Sequence, residues 1–442
     1  MPRAVYQFPK GFLWGTATAA HQVEGQNTNN NWHVWEQEDG RIHTGEKSGQ
    51  ACDWWGGRWK EDLDRAAEAG QNAHRLSVEW SRIQPEPNRW DEDALDYYRE
   101  MVQGIVNRGM TPMITLHHFT DPIWLMEEGG WENSMVVERF DQFVRRVVDA
   151  LQTYVNLWVT INEPNIYYYS GYVEGVFPPG KQSLSAASTV AQNMVRGHAA
   201  AYHTIHKIQP SAQVGFALHY RRFLPKIKWS PLDKLMKWVA DSFINRLFLE
   251  ALVTGRMNLF GGFTRIPEAK GTQDFIGLNY YTTSLTGFNV SARDSYFLKE
   301  SYPEGAVLSE TGFIANVPRG LFHSLTWLHK LGIPIYVTEN GVEDSEDRMR
   351  PQYLIEHIHQ LWRAVNACWQ VKGYFHWSLV DNFEWERGWS QRFGLWGLEP
   401  DTQRRIRRPS VDLYAAICRE NALTWDMVER YSPQSIPKLF PE

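Results

Sequence analysis

Cysteine is scarce in this chain. Cys52, Cys368 and Cys418 are an odd number of thiols at wide spacing in 442 residues, which gives neither a disulfide framework nor a metal-ligand pattern. Long apolar runs are missing too. No stretch approaches the roughly 20 apolar residues of a membrane span, and residues 1–10 carry no apolar run before the first predicted strand. Together these absences predict a soluble protein of a reducing, cytoplasmic compartment, with no membrane partner. Neither sign of charge dominates. A net charge of -6 argues against a nucleic-acid partner, and the one basic cluster, Arg404-Arg405-Ile406-Arg407-Arg408, is short and reads as solvated surface. Two catalytic signatures are also lacking. There is no GxSxG elbow, and no thiol falls at a predicted strand end, so serine or cysteine nucleophiles have no support. Gly15-Thr16-Ala17-Thr18-Ala19-Ala20 lacks the GxGxxG spacing of a phosphate loop, which counts against an open doubly wound sheet.

Aromatic residues, by contrast, make up 14% of the chain, with 21 Trp. An indole N–H needs a partner, so Trp is a costly filler. Such abundance suggests a cleft that uses flat apolar faces, as sugar sites do, beside Trp of the ordinary core.

Short apolar runs alternate with longer amphipathic ones. Strands are expected at 12–18, 72–78, 111–118, 156–163, 213–219, 274–281, 334–340 and 373–381. Helices are expected at 59–70, 93–108, 136–154, 185–208, 231–254, 319–331, 350–370 and 411–421. Parallel strands need helical crossovers, and this alternation supplies them. With no linker and no repeat, it predicts one α/β domain over residues 1–442, a (β/α)8 TIM barrel whose long βα loops form the cleft. The aperiodic segment 289–315 is assigned to a long loop at the barrel mouth.

In such a barrel the C-terminal strand ends build the site. The first strand leads to Gln22 and Glu24, and the second carries Arg75. The third ends in His117 and His118, and the fourth in Asn162 and Glu163. The sixth carries Asn279, Tyr280 and Tyr281, and the seventh ends in Glu339. The eighth runs through Trp377, with Glu384 and Trp385 in the loop beyond. One strand-end glutamate alone would read as capped or ion-paired. Two, at Glu163 and Glu339, face each other across the mouth as glycoside hydrolysis requires. A metal site finds less support, because adjacent strand residues point to opposite faces and only one of His117 and His118 can face the cleft.

Phe12-Leu13-Trp14-Gly15-Thr16-Ala17-Thr18, Thr160-Ile161-Asn162-Glu163-Pro164, Thr338-Glu339-Asn340-Gly341 and Trp377-Ser378-Leu379-Val380-Asp381-Asn382-Phe383-Glu384-Trp385 resemble glycoside hydrolase family 1 over nearly the whole chain. The resemblance implies a retaining, exo-acting β-glycosidase without cofactor or metal. It most resembles a β-glucosidase with β-galactosidase and β-fucosidase side activity and possible transglycosylation. Its implied substrates are small β-glucosides and oligosaccharides such as cellobiose, and nothing indicates the oligomeric state. By resemblance Glu163 is the acid/base and Glu339 the nucleophile, held by Arg75 and Tyr281. Gln22, His118, Asn162, Glu384 and Trp385 would contact sugar hydroxyls, Trp377 would form the apolar floor, and Asn279 would support the acid/base side. Asn165, where many members carry Trp, and Glu386 and Trp389, where Ala and Tyr are commoner, put leaving-group preference in doubt.

Two carboxyls about 5–5.5 Å apart cannot both ionise easily. Arg75 and Tyr281 favour charge on Glu339, which leaves the proton on Glu163. A charged Glu384 would repel a 6-phosphate. The alternatives are a sugar-binding protein without activity on the same fold and a 6-phospho-β-glycosidase. A thioglucoside-cleaving relative typically carries Gln where this chain has Glu163.

Overall fold

The computed structural model describes residues 4–259, 262–292 and 295–440. Eight parallel strands form the barrel: β1 (Leu13–Ala17), β2 (Ala73–Ser77), β3 (Thr111–His117), β4 (Leu157–Asn162), β5 (Gln213–Pro225), β6 (Phe275–Phe288), β7 (Ile335–Asn340) and β8 (Val371–Trp377). Each pairs with the next, and β8 pairs with β1 through Tyr374↔Trp14 and Trp377↔Ala17, which closes the ring. The expected TIM barrel is therefore present.

The outer helices follow from apolar spacing. In α3 (Val136–Leu151), Val136, Phe140, Phe143, Val144, Val147, Val148 and Leu151 fall on one face and are buried, each worth about 1.5–3 kcal/mol. α1 (Trp59–Glu68), α2 (Glu92–Asn107), α4 (Leu184–Ile208), α7 (Pro318–Leu328), α8 (Arg350–Asn366) and α9 (Pro409–Glu420) follow the same logic. Asp91 and Ser183 cap α2 and α4 by accepting from Ala94 N and Ala186 N, as short oxygen-bearing side chains do. Among the described residues no helix is long and apolar enough to cross a membrane.

The structure corrects three boundaries. The helix expected over 231–254 is broken into α5 (Pro231–Ala240), a wider π turn (Asp241–Arg246) and α6 (Leu247–Thr254). Side chains capture the turn: Asn165 Nδ2 donates to Ile244 O at 3.1 Å, and Asn245 Nδ2 donates to Arg221 O at 2.8 Å. Periodicity does not reveal one inserted residue of this kind. Second, β5 and β6 outrun the expected 213–219 and 274–281, staying paired to Pro225↔Thr286 above the barrel rim. β6 then turns into a hairpin with Leu298–Ser301, so the segment assigned to a loop contains a strand; its positions 293 and 294 lie outside the described residues. Third, β8 stops at Trp377, short of Asp381, which turns inward to a two-bond ion pair with Arg408 at 2.7 and 2.9 Å.

Candidate active site

The strand ends open into one cleft of about 650 Å³. His118, Asn162, Glu163, Tyr281, Glu339, Trp377, Glu384 and Trp385 line it, and Gln22, Arg75 and Asn279 bond to those residues from behind. The residues that the family resemblance implies for the site therefore converge, whereas Glu24 and His117 do not. Glu339 ends β7, whose register sets it beside Asn279 of β6. Gly341 must follow without a side chain, because a Cβ there would lie 1.9 Å from Trp377 O. Glu163 sits one residue past β4 in left-handed backbone, φ 43°, as the N-cap of the helix Pro164–Tyr169. That conformation is unfavourable for a non-glycine residue and persists only where surroundings impose it. Here Glu163 N donates to Ala217 O at 2.8 Å, and its carboxylate accepts from Asn279 Nδ2 at 2.7 Å.

One hydrogen-bond chain links the two carboxyls. Arg75 Nη1 donates to Glu339 Oε1 at 2.5 Å, and its Nη2 donates to Asn162 Oδ1 at 2.6 Å. Asn279 Nδ2 reaches both Asn162 Oδ1, at 3.2 Å, and Glu163 Oε1. Tyr281 Oη donates to Glu339 Oε2 at 2.7 Å. With Asn162 Oδ1 committed to Arg75, its Nδ2 faces His118 Nε2 at 2.9 Å. Burial, then the Arg75 charge, hold His118 well below the ordinary imidazole range. Neutral His118 thus accepts at Nε2 and carries its proton on Nδ1, a buried atom with no partner. Gln22 is similar: Nε2 donates to Phe383 O and Glu384 Oε2, while Oε1 is buried and unpaired. Gln391, which also lines the cleft, has a buried Oε1 without a protein partner too, and buried polar atoms of this kind call for a hydrogen-bonding partner.

A sequence model of glycosyl hydrolase family 1 matches residues 4–423. The chain belongs to that family. It is similar to β-glucosidase A of Thermotoga maritima, at 31% identity over 95% of this chain and 99% of the relative. It is also similar to a β-galactosidase of Sulfolobus acidocaldarius, at 30% identity over 94% and 96%. A solved β-glucosidase from Thermotoga maritima in complex with glucoimidazole has a TM-score of 0.88 at 30% identity, covering 95% of this chain and 100% of that one. This family 1 protein is a glycoside hydrolase, as the motifs implied.

Other readings need amendment. Glu24 turns away from the cleft of this family 1 enzyme, into a buried pair with Arg82 at 2.7 Å and a bond from Tyr98 Oη. His117 turns away to Asp121 at 3.0 Å, on the strand face opposite His118, as the alternation along the strand required. Among the described residues, Trp35, Trp377 and Trp385 are the indoles that line the cleft, whereas Trp14, Trp32, Trp54, Trp80, Trp131 and Trp158 are fully buried. The abundance of Trp is thus mainly a matter of core.

One contact escaped the sequence reading. His219 Nδ1 lies 3.1 Å from Glu163 Oε1, and its ring stacks on Tyr281. The signal was available, since the apolar run of β5 was expected to stop at His219 and β5 was the strand whose end went unread.

Charge departs from expectation as well. Burial pushes Glu339 up to about 7, and Glu163 pushes the same way, against Arg75 and Tyr281. Burial also pushes Glu384 up to about 8, with Glu386 and Glu339 adding to it and the Asn382 and Trp377 bonds opposing. Burial thus works against the expected permanent charge on Glu384 and favours its protonated form.

This carries a stability consequence. A carboxyl with a raised pKa in the fold binds more protons folded than unfolded, so stability falls as pH rises through that interval. For Glu384 the contribution is complete below the ordinary 4.5 and gone above about 8, a loss on the order of a few kcal/mol. Glu384→Gln removes the titration. Its Tm relative to the parent is expected to rise by a few degrees between about pH 5 and pH 9, as scanning calorimetry would show. A constant difference would mean that Glu384 is ionised throughout.

Proposed function

We propose a retaining, exo-acting β-glycosidase, one catalytic domain over residues 1–442. Its main activity is β-glucosidase, with β-galactosidase and β-fucosidase side activity, on small β-glucosides and oligosaccharides such as cellobiose. The observation that carries this reading is the unequal treatment of the two carboxyls. Glu339 takes a guanidinium and a phenol, from Arg75 and Tyr281, whereas Glu163 takes an amide and an imidazole, from Asn279 and His219. With one proton between them, the cation and phenol hold the negative charge on Glu339, and the proton sits on Glu163. Tyr281 stays a phenol because burial and Glu339 raise it well above its ordinary range.

Glu339 then attacks the anomeric carbon, and the C–O bond to the leaving group breaks as Glu163 protonates the leaving oxygen. Glycosylation removes the charge on Glu339, so Glu163 now accepts a proton from water, and that water releases the sugar. Asn162, held between Arg75 and His118, would bond the 2-hydroxyl, an interaction that strengthens in the transition state. No step draws on a cofactor.

The outcome expected is net retention. Proton NMR of an aryl β-glucoside digest should show the β-anomer of glucose first, with the α-anomer appearing later by mutarotation. Initial α-anomer would sink the two-step scheme, and inactivity across aryl β-glucoside, β-galactoside and β-fucoside would leave a sugar-binding protein as the better account.

A further inference from the structure

Glu163 has an ionisable neighbour. The Nδ1 of His219, on β5, lies 3.1 Å from Glu163 Oε1, and the His219 side chain is only 12% exposed. Three contacts fix that ring. Its face stacks on Tyr281, with centroids 5.9 Å apart and 20° between the planes. Its backbone oxygen accepts from Asn165 Nδ2 at 2.7 Å, on the helix that Glu163 caps. The register of β5 on β6 pairs His219 with Asn279, the other residue that bonds the Glu163 carboxyl. To move off the carboxyl, the imidazole would have to leave Tyr281.

Both neighbours meet the same oxygen. Asn279 Oδ1 accepts from Thr338 Oγ1 at 2.6 Å, so its Nδ2 is the end that faces Glu163 Oε1, and an amide nitrogen only donates. His219 Nδ1 donates or accepts according to its tautomer. As an acceptor it would draw the acid proton onto Oε1, away from the leaving oxygen. Once Glu163 had given up that proton, a nitrogen lone pair would face a carboxylate. As a donor it suits both steps of the reaction. Oε1 then receives two N–H groups, and the proton is left on Oε2.

The other charges near Glu163 are Glu339 on β7, with Tyr281 of β6 beside both carboxyls. Arg75 of β2 is committed to Glu339 and Asn162, and Arg221 of β5 to Glu300. His118 of β3 meets Asn162. Among the described residues, His219 is the titratable side chain within hydrogen-bonding reach of Glu163.

We propose that His219 is a positioning residue for the acid/base. Its Nδ1–H, together with Asn279, holds Oε1 of Glu163 and reserves Oε2 for the proton that goes to the leaving oxygen and returns from water. This rests on the β-glycosidase reading above and adds a residue to its proton transfer.

The test compares two variants. His219→Phe keeps a ring on Tyr281 without the donor. His219→Asn places an amide nitrogen where Nδ1 stands, without ionising. The substrates are phenyl β-glucoside, whose leaving group needs a proton, and dinitrophenyl β-glucoside, whose leaving group does not. In His219→Phe, kcat/KM on the phenyl glucoside should fall about tenfold, the scale of one hydrogen bond to a charged group. On the dinitrophenyl glucoside it should fall by less than about twofold. His219→Asn should stay within about threefold of the parent on both. A donor to a carboxylate favours its charged form. Loss of the donor should therefore move the basic limb of kcat/KM on the phenyl glucoside to higher pH in His219→Phe, and not in His219→Asn. His219→Leu, with neither ring nor donor, should follow His219→Phe. Equal losses on the two glucosides overturn the proposal, since they report packing or leaving-group contact. So does a His219→Asn as slow as His219→Phe on the phenyl glucoside, or a loss confined to His219→Leu. A faster His219→Phe, or a basic limb moved to lower pH, overturns it too, because Glu163 would then be donating to the ring. A parent enzyme that cleaves neither glucoside overturns the β-glycosidase reading instead.

Discussion

Glu339→Gly is expected to abolish hydrolysis of every β-glycoside, a loss on the order of 10⁵-fold or more in kcat, as when other covalent nucleophiles are removed. No other carboxyl can replace it, because the opposed Glu163 approaches from the leaving-group side. The variant also strands Arg75. Removing one partner of a buried ion pair typically costs about 3–5 kcal/mol, but Arg75 keeps Asn162 on Nη2, Thr115 on Nε and Thr338 O on Nη1. Circular dichroism and a melting curve would separate loss of chemistry from loss of fold.

Glu163→Ala should behave differently. Without the acid, cellobiose cleavage should drop by about 10²–10⁴-fold, whereas dinitrophenyl glucoside, whose leaving group needs no proton, should still glycosylate Glu339. Azide should then accelerate turnover, entering from the face that Glu163 vacated and giving a β-glycosyl azide. An α-azide from Glu163→Ala would exchange the two roles.

The β/α alternation and the strand-end carboxyls were legible in sequence because each rests on local pattern. Ile335 to Asn340 reads as a buried strand ending in polar residues whatever surrounds it. What escaped depends on pairs far apart in sequence. The π turn at Asp241–Arg246 exists because Asn165 and Arg221 reach across to it. The turning of Glu24 toward Arg82 and Tyr98, and of Asp381 toward Arg408, likewise follows from partners that no periodicity announces. Protonation was the least legible of all. Glu384 was read as charged from residue type, yet burial beside Glu386 and Glu339 sets its state. Asn165 was read as a missing Trp. In the structure it is a fully buried tether that donates to His219 O.

Phosphate at the sugar 6-position should be rejected by about a thousandfold or more in kcat/KM, even though burial favours the neutral form of Glu384. A 6-phosphate carries close to two negative charges, and burying it needs a cation with bonds to spare. The cleft offers none. No lysine lines it among the described residues. Of the arginines that do, Arg41 is paired with Glu38, Arg221 with Glu300 and Arg387 with Glu386. Arg392, further along the same loop, bonds Leu398 O and lies 3.9 Å from Asp381, so neither it nor Arg387 is the partner of Glu384. Glu384 instead accepts from Gln22 and Asn382 at 3.2 and 3.0 Å through Oε2 and from Trp377, and we propose that it also binds sugar hydroxyls, O4 and O6 by resemblance. Those hydroxyls favour the ionised form on binding, because a carboxylate accepts bonds that the acid cannot. A phosphate has the opposite effect, facing Glu384 and Glu386 together, and several kcal/mol of unbalanced charge sets the thousandfold scale. Kinetics on aryl β-glucoside, β-galactoside, β-fucoside and 6-phospho-β-glucoside would measure it. Glu384→Ser should weaken the glucoside and galactoside by about tenfold or more and the fucoside, which lacks the 6-hydroxyl, far less. Comparable rates on phosphorylated and plain glucoside, or equal losses on all three neutral sugars in the variant, would show that Glu384 does not read the 6-position.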